Sequence, residues 1–444
     1  MKLNYKSVKY FAIIAGVLLG GVKVNAQDFT IKQAQDFALV NFHQALNAEL
    51  DIKKSQSKIW ETTARGLPQI NGSGSYRHAI NQELNFDDAF LRAPGNEFMK
   101  IFQADNITQG KVEATQLLFD GSYIVGLQAA KTYLKLSQNK KLKTDAEVRA
   151  NVASAYYLAL VAGKNIDLLK NNIKNIEESI QETKALVTQG FLDAIELDQL
   201  ELMASNMKNS LKDAFQTKDV AQKMLKLNMG IEYTKTVVLK DSLQGILNLI
   251  SIDALVAEKL DLINNPDIKV LNTQRELLAL DLKRRRYERM PKLAAFYQIT
   301  ASAYQLEFKY NDAQWLDAQN AGLSLSIPIF SSGMQGSKIK QAKLELTKMD
   351  NTVKYFENAM LVSFDNAINN LITKNAKYQN TQKSLNIAQR IYDRTVIKHK
   401  QGMASSFELM QMKNQLLQSQ GGYIKALFEV LNAKAEIDKL QNKL

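Results

Sequence analysis

Two carboxylates hold matching places in this 444-residue chain. Glu196 follows Gln189-Gly190, within Ile195-Glu196-Leu197, and Glu408 follows Gln401-Gly402, within Phe407-Glu408-Leu409. Each Gln-Gly pair reads as a turn closing a long helical stretch, because glycine ends a helix in the left-handed conformation. Each acid then lies just past a turn, at the free end of a helical hairpin. Carboxylates repeated around an axis at a constriction concentrate cations and select by charge. An acid is also favoured in a first helical turn by the helix dipole alone, so both readings stand. The candidate constriction is Glu408 with Gln411 and Glu196 with Gln199. The tips Gln189, Gly190, Gln401 and Gly402 are the candidate docking turns for a partner hairpin.

Nothing else has the spacing of a catalytic centre. The chain contains no cysteine, so thiolate zinc sites, disulfides and Cys nucleophiles are closed. His43, His78 and His399 lie far apart and form no His-x-x-x-His or His-Glu pair, so no metal site is expected. There is no phosphate-binding Gly-rich loop, no Gly-x-Ser-x-Gly and no pattern for a cofactor. Pairs such as Asp87-Asp88 and Glu177-Glu178 read as solvated charges.

The elements that position the two turns come as two similar halves. Gly66-Leu67-Pro68 is answered by Arg289-Met290-Pro291, each opening an alternating segment. Leu118-Phe119-Asp120-Gly121 is answered by Ile329-Phe330-Ser331-Ser332-Gly333, each starting a long helix. The Phe and Gly-turn correspondences share an offset of 211 or 212 residues. Pro68 and Pro291 mark strand entries; Phe119, Pro328 and Phe330 mark strand exits.

Four strands are expected at 67–80, 107–119, 291–308 and 318–329. Ala321 to Ile327 alternates apolar with small polar residues, and Ile70 to Tyr76 does so with glycine on the apolar side. A period of two with one polar face fits lipid on one side and water on the other; a half-buried soluble sheet alternates in the same way. Four strands cannot close a barrel, for which about eight is the usual minimum. Either the sheet is open, or several chains pool their strands, and three chains would supply twelve.

Residues 122–189 and 334–401 lack proline and read as helices, each able to extend roughly 100 Å. Ile166, Leu169, Ile173, Ile176, Ile180, Thr183 and Val187 alternate spacings of three and four, as do Leu197, Leu200, Ala204, Met207, Leu211 and Ala214. That is a coiled-coil stripe, or the core stripe of a soluble bundle. Split return helices are expected at 193–229 plus 253–289, and at 405–443 plus 29–66. Asn264-Asn265-Pro266 interrupts one of them.

The start of the chain reads as a secretory leader. Lys2, Lys6 and Lys9 precede an apolar core at 11–21 and a small-x-small site at Val24-Asn25-Ala26. Four lysines of the net charge of +12 fall in this leader, leaving +8 beyond it. Lysine-rich helix faces account for that excess, and nucleic acid is not expected as a partner. No later stretch approaches the roughly 18 apolar residues of a membrane helix, so membrane insertion requires strands.

The organisation expected is a signal peptide at 1–26, a helix at 27–66, a strand pair with an external loop at 67–119, and a helical hairpin at 120–229. An equatorial insertion follows at 230–252, then a helix at 253–290, a strand pair at 291–330 and a second hairpin with the C-terminal segment at 331–444. Phe86, Phe90, Phe98 and Phe102 fall in the loop. Trp60 and Trp315 flank opposite ends of the strands, and Lys283-Arg284-Arg285-Arg286 precedes the third strand. They are the candidate membrane-interface residues.

The order of these features resembles the TolC-type outer-membrane efflux channel family across nearly the whole chain beyond the leader. The residues that carry the resemblance are Phe29-Thr30-Ile31-Lys32-Gln33-Ala34, Asn265-Pro266-Asp267, the Pro strand entries, Pro328-Ile329-Phe330 with Gly333, and the two Gly-plus-acid turns. The resemblance implies a mainly α fold with a membrane β-barrel: a homotrimer whose four strands per chain make a twelve-strand barrel, continued by a long α-helical barrel. It implies a passive, non-enzymatic export duct in the outer membrane, with a periplasmic adaptor protein, an inner-membrane transporter and outer-membrane lipid as partners. A periplasmic adaptor or a soluble coiled-coil scaffold is the alternative. Two departures stand out. Ser331-Ser332-Gly333 replaces an acid with glycines, and Gln411 replaces the second of two acids, which implies a weaker acidic ring.

Overall fold

The register between strands decides what the alternating segments become. A computed structural model describes residues 27–80, 104–248, 250–305, 308 and 315–443. The expected leader and most of the external loop, with its four phenylalanines, lie outside them. In chain order the elements are β1 (Gln27–Phe29), α1 (Ile31–Asn41), α2 (His43–Ala64), β2 (Gln69–His78), β3 (Asn106–Asp120), α3 (Gly121–Thr188) and α4 (Ala194–Met229). Then come β4 (Val237–Leu239), α5 (Leu243–Asn248), α6 (Ile252–Ala257), α7 (Pro266–Tyr287), β5 (Lys292–Gln305), β6 (Trp315–Ser326), α8 (Met334–Lys400) and α9 (Ser406–Leu440). The chain divides into two units, one of Ala48–Lys143 with Leu262–Met360, the other of the remaining segments.

The first of these units holds an antiparallel sheet in the order β2-β3-β5-β6. Successive side chains point to opposite faces, and the register sorts them. One row across the strands is Ile70, Ala114, Tyr297, Ala321; the next is Asn71, Glu113, Gln298, Asn320. Leu293 opposite Leu325 and Ala295 opposite Leu323 extend the apolar face. Lys111 pairs with Glu113 at 2.5 Å on the polar one. Phe296 lies over Gly322 of the neighbouring strand, 2.9 Å from where a Cβ would stand, so glycine makes room for the ring. β2 is exposed along its whole length, as is nearly all of β6. These are the sheet's two edges, and among the described residues neither pairs with a further strand.

Helices of this unit interlock through polar contacts. Ser55 and Ser137 share a buried hydrogen bond of 2.7 Å, and Asn139 donates to Thr273 at 2.8 Å. Asn265 caps α7 by accepting from the Asp267 and Ile268 amides, with Pro266 in its first turn. Proline there loses no hydrogen bond, because that N–H has no helical acceptor. This corrects the expected helix over 253–289. Pro266 opens α7 rather than interrupting a longer helix, and between residues 250 and 265 only Ile252–Ala257 is helical. The expected helix over 29–66 is likewise two, because Phe42 is extended (ψ 131°) between them.

The other unit is built from α1, the greater parts of α3 and α8, and all of α4 and α9. Its core gathers Val148, Val152, Tyr156, Leu225, Phe364, Leu371, Leu427 and Leu431. The stripes read from the sequence run inward: Ile166, Ile173, Ile176, Thr183, Leu200, Ala204, Met207 and Ala214 are all buried. The insertion after α4 anchors the start of the described chain, since β4 pairs in parallel with β1. Tyr156 ties this pairing to α3. Its hydroxyl contacts the Phe29 carbonyl at 2.8 Å and the Asp241 carboxylate at 2.9 Å, and that carboxylate also accepts the Ile31 amide at 2.7 Å. Burial, with the nearby Asp241 charge, raises the pKa of the Tyr156 phenol. Among the described residues no helix is long and apolar enough to cross a membrane.

Gly230 ends α4 at φ +70°, and a Cβ there would sit 2.3 Å from the Asn41 carbonyl oxygen. Left-handed backbone costs a non-glycine residue about 1–2 kcal/mol before any clash. Gly230→Ala is therefore expected to lose about 2 kcal/mol or more in denaturant unfolding followed by helical circular dichroism. Gly163→Ala, in an open helical position, is expected to leave the midpoint unchanged or raise it.

Candidate functional site at the two helical turns

Both hairpin turns use the same closing geometry. In the first, the Gly190 amide donates to the Val187 carbonyl at 3.0 Å and the Phe191 amide to Leu186 at 2.9 Å. In the second, the Gly402 amide donates to His399 at 2.9 Å and the Met403 amide to Lys398 at 2.8 Å. This nested pair is the Schellman arrangement, which needs a left-handed residue. Gly190 at φ +79° and Gly402 at φ +71° supply it. A Cβ on either glycine meets nothing within 4 Å. Gln189, Gly190, Gln401 and Gly402 are all exposed.

The return helices start alike as well. Asp193 caps α4, accepting the Ile195 amide at 2.9 Å, and Ser405 caps α9, accepting the Glu408 amide at 3.2 Å. Glu196 and Glu408 thus hold the same first-turn position, where the helix dipole favours an anion. Their surroundings differ. The Glu196 carboxylate, half-buried, accepts the Ser406 amide of the other hairpin at 2.8 Å. Glu408 is exposed, as is Gln411, whereas Gln199 is half-buried. The structure joins Glu196 to the start of α9 and leaves Glu408 and Gln411 open.

Further contacts cross between the hairpins. Lys400 and Glu182 pair at 2.7 Å, and this hydrogen bond holds the Lys400 ammonium above its usual pKa. His399 is buried, with Nδ1–H donating to the Ala404 carbonyl at 2.9 Å and Nε2 lying 3.4 Å from the Thr183 hydroxyl. Farther along, Lys413 is fully buried, donates to the Asn172 amide oxygen at 2.9 Å and lies 4.3 Å from the Tyr392 ring centroid. Sequence reasoning missed Lys413 and His399. The one available signal was spacing: Leu409, Lys413, Leu416 and Gln420 alternate four and three, which puts a lysine on the buried stripe.

The remaining candidates lie in the unit that contains the sheet. Pro68 and Pro291 immediately precede β2 and β5, Phe119 is the next-to-last residue of β3, and Pro328 and Phe330 follow β6. Phe119 comes just after a register shift in β3. Trp315 opens β6 opposite Ala303, on the face that carries Tyr297 and Leu325, at the end of the sheet far from β2's start. Trp60 is exposed on α2. Arg284 and Arg285 pair with Asp281 and Glu288, so part of the basic run is neutralised locally; Arg286 is the next residue of the same helix end.

A family model described as outer membrane efflux protein matches residues 36–230 and 259–443. Among solved structures, CusC superimposes with a TM-score of 0.72 at 16% identity, over 95% of each chain. The CmeC outer membrane channel of Campylobacter jejuni gives 0.71 at 18% identity, over 93% of this chain and 85% of that one. The MtrE outer membrane channel of Neisseria gonorrhoeae gives 0.70 at 16% identity, over 93% and 88%. No curated protein matches the sequence significantly.

Removing the Glu196 carboxylate leaves the Ser406 amide without its acceptor. A hydrogen bond to a carboxylate in a half-exposed position contributes about 1 kcal/mol. Glu196→Ala is expected to speed hydrogen exchange roughly five- to tenfold in a peptide spanning 403–409, read by mass spectrometry. Glu408→Ala, which removes no such contact, is expected to leave the exchange of that peptide nearly unchanged.

Proposed function

This chain belongs to the outer membrane efflux protein family, and from that premise we propose the assembly and the sites through which it works. It is an outer-membrane efflux channel protein, with its helical part in the periplasm. We propose a homotrimer acting as a passive duct without a catalytic role of its own. The observation that carries this reading is the open sheet: four strands, two exposed edges, and an alternation that sorts into one apolar and one polar face. In hydrocarbon every backbone polar group needs a protein partner, so strands span a membrane only in a closed barrel. Pairing β2 of one copy with β6 of the next closes twelve strands with apolar residues toward lipid and polar ones toward water. Class averages of detergent-purified particles are expected to show three-fold symmetry; a monomer with an open sheet would end this reading.

The proposed partners are a periplasmic adaptor and an inner-membrane transporter that drives export. The adaptor docks on Gln189, Gly190, Gln401 and Gly402. Both glycines face open space, so a side chain there costs only the left-handed strain, about 1–2 kcal/mol each. The chain carrying both Gly190→Leu and Gly402→Leu is expected to fold and reach the outer membrane yet lose export. Normal export by that variant removes tip docking.

The constriction is formed by Glu408 and Gln411, exposed beside the second turn, with Glu196 and Gln199 behind them at the first. Repeated three times, Glu408 makes a ring of carboxylates that favours cations. Trp60, Trp315 and the arginines at 284–286 mark the membrane interfaces. Glu408→Ala is expected to lower cation preference in planar bilayers; unchanged conductance and unchanged reversal potential in a salt gradient would remove the ring.

A further inference from the structure

A buried ammonium sits where the two helical hairpins meet, and no functional role has yet been given to it. Lys413 occupies a position on the inward stripe of α9, between Leu409 and Leu416, both fully buried. Its side chain has no exposed surface. Three elements cage it. From α3 of the other hairpin, Asn172 accepts from Nζ at 2.9 Å. From α8, the Tyr392 ring lies 4.3 Å away, within cation–π distance. From α9 itself, one heptad on, Gln420 accepts the Asn172 amide at 2.6 Å. Asn172 and Gln420 are buried too, so the four residues form a polar knot across an apolar core.

Among the described residues no carboxylate bonds the ammonium. The charged or titratable groups that face it are Tyr392 and Asp393, both on α8; α3 offers an uncharged amide, and α9 another. The Asp393 side chain instead accepts from Gln389 at 2.8 Å. The Tyr392 hydroxyl is buried without a hydrogen-bond partner. A buried charge that lacks an ion-pair partner costs free energy that packing must offset, and a polar residue on a helical stripe sets register at a cost in stability. The packed state thus holds two groups that water would serve better: the Lys413 ammonium and the Tyr392 hydroxyl.

We propose that Lys413, held by Asn172, Gln420 and Tyr392, is a proton-dependent lock that sets the register of the two hairpins and eases their separation while it is charged. Parting the hairpins hydrates the ammonium and frees the phenol; losing the proton removes the charge penalty and tightens the packing. The direction of the pH effect follows from burial, which pushes the lysine from 10.5 down to about 8, with Asp393 opposing. The parted state binds the proton more tightly than the packed state. Packing therefore gains strength as pH rises from about 8 toward 10.5, and the gain is absent below that window. This inference does not depend on the constriction or on tip docking.

Three forms of the full-length, detergent-purified protein separate the possibilities by thermal midpoints of the helical signal at pH 7 and pH 9.5. Wild type is expected to rise by about 3 °C more than Lys413→Met between the two. Lys413→Met is expected to start higher at pH 7, and Lys413→Arg, which keeps its charge, to stay low at both. Lys413→Gln replaces either variant that does not assemble. The absence of cysteine allows a second readout, with spin labels on Lys174→Cys and Gln415→Cys reporting the distance between α3 and α9. That distribution is expected to narrow from pH 7 to 9.5 in the wild-type background and to stay narrow with Lys413→Met. Equal pH slopes for wild type, Lys413→Met and Lys413→Arg, or a spin-label distribution unchanged by pH in wild type, would overturn the proposal.

Discussion

Backbone hydrogen bonding at the two edges of one small sheet governs the rest of this protein. β2 and β6 each present a row of N–H and C=O groups that no described strand completes. In water such an edge is a site of uncontrolled association; in lipid it is not tolerated. A glycine-rich β2 and an exposed β6 carry few side chains that would block pairing. The family's setting in the outer membrane resolves the problem when copies share their edges. In the proposed trimer the apolar face meets hydrocarbon, and the Asn71–Glu113–Gln298–Asn320 row meets water.

Duplication produced two turns with one chemistry and two different environments. Gly190 and Gly402 close their helices through the same pair of amide bonds, and Asp193 and Ser405 cap the returning helices in the same way. The acids that follow have diverged in use. Glu196 is bound to the Ser406 amide, so it holds the hairpins together, while Glu408 remains exposed. One acid is therefore engaged by the other hairpin and the other is exposed to solvent. With glutamine rather than an acid at 411, the first turn of α9 carries one carboxylate, Glu408.

The stripe between the hairpins combines strong apolar contacts with deliberate weak points. Leu200, Met203, Met207, Leu409 and Leu416 pack as a continuous cluster. Lys413, Gln420 and Asn172 interrupt it with groups that bond in only one alignment. An all-apolar stripe would tolerate sliding by a turn; a bonded amide pair would not. Uniqueness of register is thus obtained at the expense of some stability.

Much of this was legible before any coordinate. Helices α3, α4, α8 and α9 fall within a residue or two of their expected bounds, except that α9 ends at Leu440, because long proline-free stretches with three-four spacing admit few alternatives. The four strands follow from alternation, and the turns from glycine. Other features were not legible, for a common reason. The three-residue pairing of β1 with β4 is too short to show a period. Asn265-Pro266 has the same letters whether it kinks a helix or caps one, and only the path of the preceding chain tells which. The partners of Glu196, His399 and Lys413 lie some 200 residues away in sequence. Sequence by itself determined the elements and the repeat, because periodicity and turn chemistry are local. Tertiary structure alone decided which equivalent acid is bound and which is free, how the alternating faces align across four strands, and that a lysine is sealed inside. Each of these depends on which distant backbone or side chain arrives at hydrogen-bonding distance.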